Sequence, residues 1–218
     1  MNQTMTALLL CVASLTLPSY DTLAQPPARK AHAKWVKVDD NDWSESKPRG
    51  KYEETDDGAV VTLPNGHQYI TKRVDGEEGP LAVLLVFPNR QVFSSETAKG
   101  AVGPAFVNED ETLIAMTCHP ATQTGDLHIY TKDPNGKFRG ENGKYREVPN
   151  EENGAVNQLL RETYDNFAGS TLEVRGITGR TLIVWAIVKG QSIEKDDGYY
   201  RFEFKLHVAP DGKLALVK

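Results

Sequence analysis

The residues of this chain best equipped for chemistry are Cys118, His119, Asp126 and His128, a thiol, two imidazoles and a carboxylate within eleven positions. His and carboxylate are the ligands zinc takes, and a thiol with a nearby imidazole is the minimum for covalent catalysis. Spacing weakens both readings. No His-Glu-x-x-His motif is present. Neighbours on a strand point to opposite faces, so Cys118 is better placed to meet His128 than His119. The four residues stand as candidate ligand-binding positions, and sequence alone assigns neither a metal site nor a catalytic residue. Other chemistries lack their signatures: there is no Gly-x-Ser-x-Gly nucleophile turn, no phosphate-cradling glycine cluster and no dinucleotide fingerprint. The acidic pairs Asp56-Asp57, Glu77-Glu78, Glu151-Glu152 and Asp196-Asp197 fall in expected loops, with nothing to set them facing each other across a cleft. No cofactor is implied.

The elements that must position these residues read as strands and turns. Ala59–Leu63, Pro64-Asn65-Gly66 and His67–Val74 form a hairpin signal, because Asn-Gly supplies the positive φ that a tight turn needs. Leu81–Phe87 is apolar at every position, as a strand covered on both faces would be. Pro104–Val107 and Thr112–Cys118 flank the turn Asn108–Glu111, which predicts another hairpin. Leu127–Thr131 and Lys137–Arg139 flank Asp133-Pro134-Asn135-Gly136, which predicts a further hairpin. Tyr200, Phe202, Phe204, Leu206 and Val208 alternate with polar residues, a period of two that excludes a helix. Leu182–Val188 is apolar on both faces and predicts a central strand with the helix or a second sheet layer across it. One segment has helical spacing: Val156, Leu159, Leu160, Tyr164 and Phe167 predict an amphipathic helix near 153–167, begun by Asn150 or Asn153 and ended by Gly169. About eleven strands joined by short turns predict a mainly β fold. The expected architecture is an antiparallel meander, arranged as a sandwich or as propeller-like blades.

Residues 104–139 carry a second pattern: Ala105–Ala115 with an acidic turn, then Gly125-Asp126-Leu127-His128-Ile129-Tyr130, then Asn135-Gly136-Lys137. This resembles a blade of the TolB or PD40 type of β-propeller, and Val208-Ala209-Pro210-Asp211-Gly212-Lys213-Leu214 resembles the Pro-Asp-Gly-Lys corner of the same repeat. The resemblance implies blade-like β-meanders and carries no activity with it.

Composition and the N-terminus bound the function. Residues 1–24 hold an uncharged Leu/Val/Ala-rich run from Thr6 to Leu17, too short to span a bilayer and of signal-peptide length, with cleavage expected after Ala24. The expected destination is the periplasm or the exterior. Removing 24 residues from 218 leaves 194, a length that predicts one domain over 35–218 preceded by a flexible Pro/Ala-rich linker over 25–34. Of the 25 basic and 30 acidic residues only Asp21 lies in the leader, so the remainder has 25 against 29, a net −4. With no Lys/Arg cluster of the size a phosphate backbone requires, nucleic acid is excluded as a partner. No later run is long enough for a membrane span. Cys11 leaves with the leader, so Cys118 has no partner for a disulfide and the fold must rest on its core. These constraints imply an exported, non-catalytic binding or interaction module whose partner is an envelope or extracellular protein or a small ligand. The alternative is a hydrolase using Cys118 or the His119/Asp126/His128 group.

Overall fold

Strands form where alternation and turn residues require them, and they assemble into three antiparallel sheets. The structure is a computed structural model; it describes residues 29–39, 47–56, 58–76, 79–87, 91–99, 101–119, 125–140, 143–150 and 153–217, with the backbone alone for those of residues 73–102, for His119 and for Gly140. The expected leader at 1–24 and Trp43 lie outside the described residues. No helix among the described residues is long and apolar enough to cross a membrane.

The first sheet runs in chain order as a meander: β2 Lys51–Thr55, β3 Gly58–Thr62, β4 Gln68–Gly76, β5 Gly79–Phe87 and β6 Gln91–Lys99. Its β3–β4 hairpin closes on the expected Asn-Gly turn, with Gly66 at φ 85° and its N–H bonded to the Leu63 carbonyl at 2.9 Å. The central sheet contains β7 Ala101–Val102, β8 Phe106–Val107, β9 Leu113–His119, β10 Asp126–Lys132, β11 Phe138–Gly140 and β12 Gly143–Glu147. Here one expectation changes. β10 does not pair with β11 across the Asp133–Gly136 turn; β12 lies between them in the order β11-β12-β10-β9-β7. Tyr145 of β12 is opposite both Lys132 and Phe138. The chain can pass this closely because position 136 is glycine: a Cβ there would sit 2.0 Å from the Tyr145 carbonyl oxygen.

After the helix α1, Gly154–Thr163, the third sheet is built from β13 Thr171–Thr178, β14 Thr181–Lys189, β15 Tyr199–Val208 and β16 Leu214–Val217, with β1 Val36–Lys37 on the far edge of β15. Helix α1 is shorter than its apolar spacing predicts. It stops at Thr163 because Tyr164 turns extended and bridges to Ala31, while Tyr164 and Phe167 still pack on the core as loop residues. At its start Asn150 does the capping, accepting from the Val156 N–H at 3.1 Å. Asn153 instead bonds the Leu127 N–H and the Gly125 carbonyl, tying the helix start to β10.

Two apolar cores place the central sheet in the middle. Leu113, Ala115, Leu127 and Ile129 face α1 and the inner face of the third sheet; Ile114, Met116, Cys118 and Tyr130 face Val61, Leu63 and Tyr69 of the first. That is why β9 is buried at every side chain described from Leu113 to Cys118. Arg180, in the β13–β14 turn, binds the third sheet to the central one through Thr112 Oγ1 (3.0 Å), Thr131 Oγ1 (2.8 Å) and the carbonyl oxygens of Val208 and Ala209.

The cover over β14 also differs from expectation. Its inner residues Leu182, Val184, Ala186 and Val188 join the core, but on the outer face Trp185 is shielded by side chains of the same sheet. The guanidinium carbons of Arg175 and Arg201 lie 3.9 and 4.0 Å from its ring centroid, and its Nε1–H donates to Glu203 at 2.9 Å. Cation–π stacking by flanking arginines does here what a second layer was expected to do.

Candidate functional site

Cys118, Asp126 and His128 do come together on one face of the central sheet. Asp126 is directly opposite Cys118, and His128 is opposite Met116, one pair further along. His119 is the next residue of β9, opposite Ala101, and so has the opposite alternation to Cys118. Its side chain lies outside the description. The thiol is fully buried and free, and burial, reinforced by the carboxylates of Asp126 and Glu147, pushes its pKa up to about 12. A nucleophile needs the reverse, a thiolate reachable from solvent. His128 is 8% exposed; its Nδ1–H donates to Glu147 at 2.9 Å, and its buried Nε2 has no partner among the described residues. Among the described residues no group of three or more His, Cys, Asp or Glu side chains is placed to hold a metal ion.

A second cluster has no local signal in the sequence. Glu111, the last residue of the turn Asn108–Glu111, is 3% exposed and lies at the seam between the first and central sheets. Its carboxylate accepts from Tyr69 Oη, from His67 Nδ1 at 2.8 Å and from Asn65 Nδ2 at 2.5 Å, while Tyr145 Oη donates to its backbone carbonyl at 2.6 Å. Burial alone would raise its pKa, but the donors Tyr69, His67 and Asn65 overcome this and hold it below the ordinary glutamate value. The same burial raises both tyrosines, Tyr69 beyond its ordinary range and Tyr145 to about 12. Glu111 also has φ 53°, the left-handed region that a side chain adopts only at a cost. Only the fold brings Asn65, His67, Tyr69 and Tyr145 to it, so no local spacing could have shown the cluster.

The third feature comes from the expected linker. From Ala31 the chain is bound along α1 and its following loop: Ala31 N–H donates to the Thr163 carbonyl and the Ala31 carbonyl accepts from Asp165 N–H, both at 2.9 Å. The Asn166 side chain then serves Ala33 as a strand residue would, accepting its N–H at 2.6 Å and donating to its carbonyl at 2.9 Å. Ala33 is buried, and Trp35 stacks on Phe167 with ring centroids 5.7 Å apart. This strap separates two clefts. One, about 640 Å³, lies between the strap, the loop Asp165–Ala168 and the 3₁₀ turn Gly190–Ile193 with the two residues after it; Trp35 and Phe167 line it beside Asp165, Asn166, Ser192 and Lys195. The other, about 500 Å³, lies between the strap and β15, lined by Val36, Tyr164, Arg201, Phe202 and Glu203. His32 and Lys34 border both. Both volumes fall in the range of ligand clefts.

The fold and its clefts define a mainly β protein of three antiparallel sheets with a single α-helix among the described residues. Set against known proteins, the chain matches no family model, no curated protein and no solved structure.

Proposed function

We propose that this protein is an exported binding module, acting in the periplasm or outside the cell, and that its ligand docks in the 640 Å³ cleft beside the strap. The observation that carries the proposal is the lining of that cleft: a stacked Trp35–Phe167 pair among the polar side chains of Asp165, Asn166, Ser192 and Lys195. An apolar surface with a few polar groups around it suits recognition. The chemistry-bearing residues elsewhere favour this over hydrolysis. The Cys118 thiol is buried with its pKa pushed up to about 12, and His128 donates its Nδ1 proton to Glu147.

The test compares the native chain, exported and purified, with the double variant Asp165→Lys/Lys195→Glu, both residues being exposed. Each is used to capture partners from envelope extract and culture medium, and hydrogen exchange is then measured on the captured complex. The expected result is a partner retained by the native chain, lost by the variant, and protecting amides in 165–168 and 192–195. Equal retention would move the site elsewhere, and a native chain that retains nothing would overturn the proposal.

A further inference from the structure

After Cys11 the chain holds one methionine and one cysteine, and they stand two residues apart on β9, at Met116 and Cys118. Residues two apart on a strand share a face. Both side chains therefore enter the core between the central and first sheets, where they are 1% and 0% exposed. From β10, His128 joins that face directly opposite Met116 and one step diagonal from Cys118, separations that long side chains can bridge. Its ring is oriented by Glu147 of β12, to which Nδ1–H donates at 2.9 Å. The two nitrogens of an imidazole point away from each other, so Nε2 is on the side of the ring away from Glu147. β9 flanks β10 on that side, as β12 does on the other. With the proton on Nδ1, Nε2 carries the lone pair; it is buried, on a residue 8% exposed, and has no hydrogen-bond partner among the described residues. A buried acceptor without a donor costs stability, which a ligand at that atom would recover.

We infer that Cys118 Sγ, Met116 Sδ and His128 Nε2 together bind one soft monovalent cation, copper(I). Thiolate and thioether sulfur select copper(I), and imidazole suits it as well. Zinc takes thiolate, imidazole and carboxylate, but this face has no carboxylate to spare for it. Glu147 holds the imidazole, and Asp126 accepts from Asn153 Nδ2 at 3.3 Å. A thioether as third ligand also fits the lack, among the described residues, of any group of three or more His, Cys, Asp or Glu side chains placed to hold a metal. Charge balance points the same way. The ion takes the place of the thiol proton, which leaves to solvent: Cu⁺ and Cys–SH give Cys–S–Cu and H⁺. The loaded site is then neutral, whereas a divalent ion would leave a positive charge buried among Ile114, Tyr130 and Val107. Glu147 is a positioning residue, fixing the tautomer and the direction of the ring. The site is separate from both clefts and does not rest on the proposed function.

The experiment titrates the purified full chain, kept reduced, with copper(I) in competition with bicinchoninate, with silver(I) as the redox-inert counterpart, and with zinc(II). Copper(I) and silver(I) should each bind at one ion per chain and raise the melting temperature, and zinc(II) should bind more weakly than either. By NMR, silver(I) should shift the Met116 methyl signal and His128 Nε2. Met116→Leu keeps the volume of the side chain and the fold, and should weaken silver(I) binding by at least about tenfold. Glu147→Gln should weaken it about ten- to a hundredfold and alter the His128 tautomer seen in the ring ¹⁵N shifts. Cys118→Ser should abolish binding; if it does not fold, the Met116→Leu titration and the native NMR shifts still decide. The inference is overturned if silver(I) leaves Met116 and His128 unshifted, if Met116→Leu binds as tightly as the native chain, if zinc(II) binds as tightly as copper(I), or if either soft ion lowers the melting temperature by preferring the unfolded chain.

Discussion

Replacing Glu111 by Gln should loosen the seam between the first and central sheets, by an amount that depends on pH. The glutamine keeps the size of the side chain and one oxygen acceptor. It loses the charge that Tyr69, His67 and Asn65 converge on, and it turns an N–H₂ toward one of those donors. A hydrogen bond to a charged group contributes about 1.5–3 kcal/mol, and at least one of the three is lost outright, so the expected cost at pH 7 is about 2–4 kcal/mol. Because the native carboxyl is held below its ordinary value of 4.5, the folded state binds its proton less readily than the unfolded chain does. The stabilisation is therefore complete above that ordinary value and is lost as pH falls through the depressed native one. Urea unfolding of native and Glu111→Gln proteins from pH 7 to pH 3 reads this directly, and the two stabilities should converge toward the acid end. In a double-mutant cycle with Tyr69→Phe the coupling should exceed about 1 kcal/mol. A cost under about 0.5 kcal/mol at pH 7, or a gap that does not narrow with acid, would refute the account of Glu111 as an ionised rivet.

Other predictions follow from single contacts. Cys118 should resist a thiol-reactive reagent at pH 8 in the native state and react at once in denaturant, since its pKa is raised to about 12 and the sulfur is buried. Gly190→Ala should lower the melting temperature markedly, because the new Cβ would sit 1.9 Å from the backbone oxygen of Asp196; circular dichroism melts check this. Arg180→Lys should cost about 2–3 kcal/mol in chemical denaturation, as an ammonium cannot reach Thr112, Thr131 and the Val208 and Ala209 carbonyls together. Asn166→Asp should expose the Ala33 amide to faster hydrogen exchange, since a carboxylate can still accept its N–H but cannot donate to its carbonyl.

What the sequence could show was whatever local periodicity encodes. The alternation from Tyr200 to Val208 and the Asn65-Gly66 turn each state a strand or turn within a few residues, and the structure contains them. The pairing of β10 with β12 was illegible because Tyr145 chooses its neighbours across the fold, and the Asp133–Gly136 turn alone suits a simple hairpin equally well. The end of α1 was illegible for a similar reason: Tyr164 and Phe167 have helical spacing, but Ala31, more than a hundred residues away in the chain, draws Tyr164 into extended backbone. Trp185 looked like a core residue needing a second layer because hydropathy treats Arg175 and Arg201 only as charges, when their guanidinium planes can cover an indole. Of the candidate site residues, the strand register explains why Cys118 and Asp126 meet, and the apolar strand that ends at Cys118 explains why its thiol is buried.

The strap shows how a short extended stretch is held against the core with little apolar surface. Composition predicts disorder when a segment cannot bury enough apolar surface to offset its conformational entropy. The strap meets that cost chiefly with main-chain hydrogen bonds and with only two core side chains, Ala33 and Trp35, one of them too small to register in a hydropathy profile. One edge of the strap backbone, at Ala31 and Ala33, is bonded to Thr163, Asp165 and Asn166. The strap thus forms a wall of both clefts.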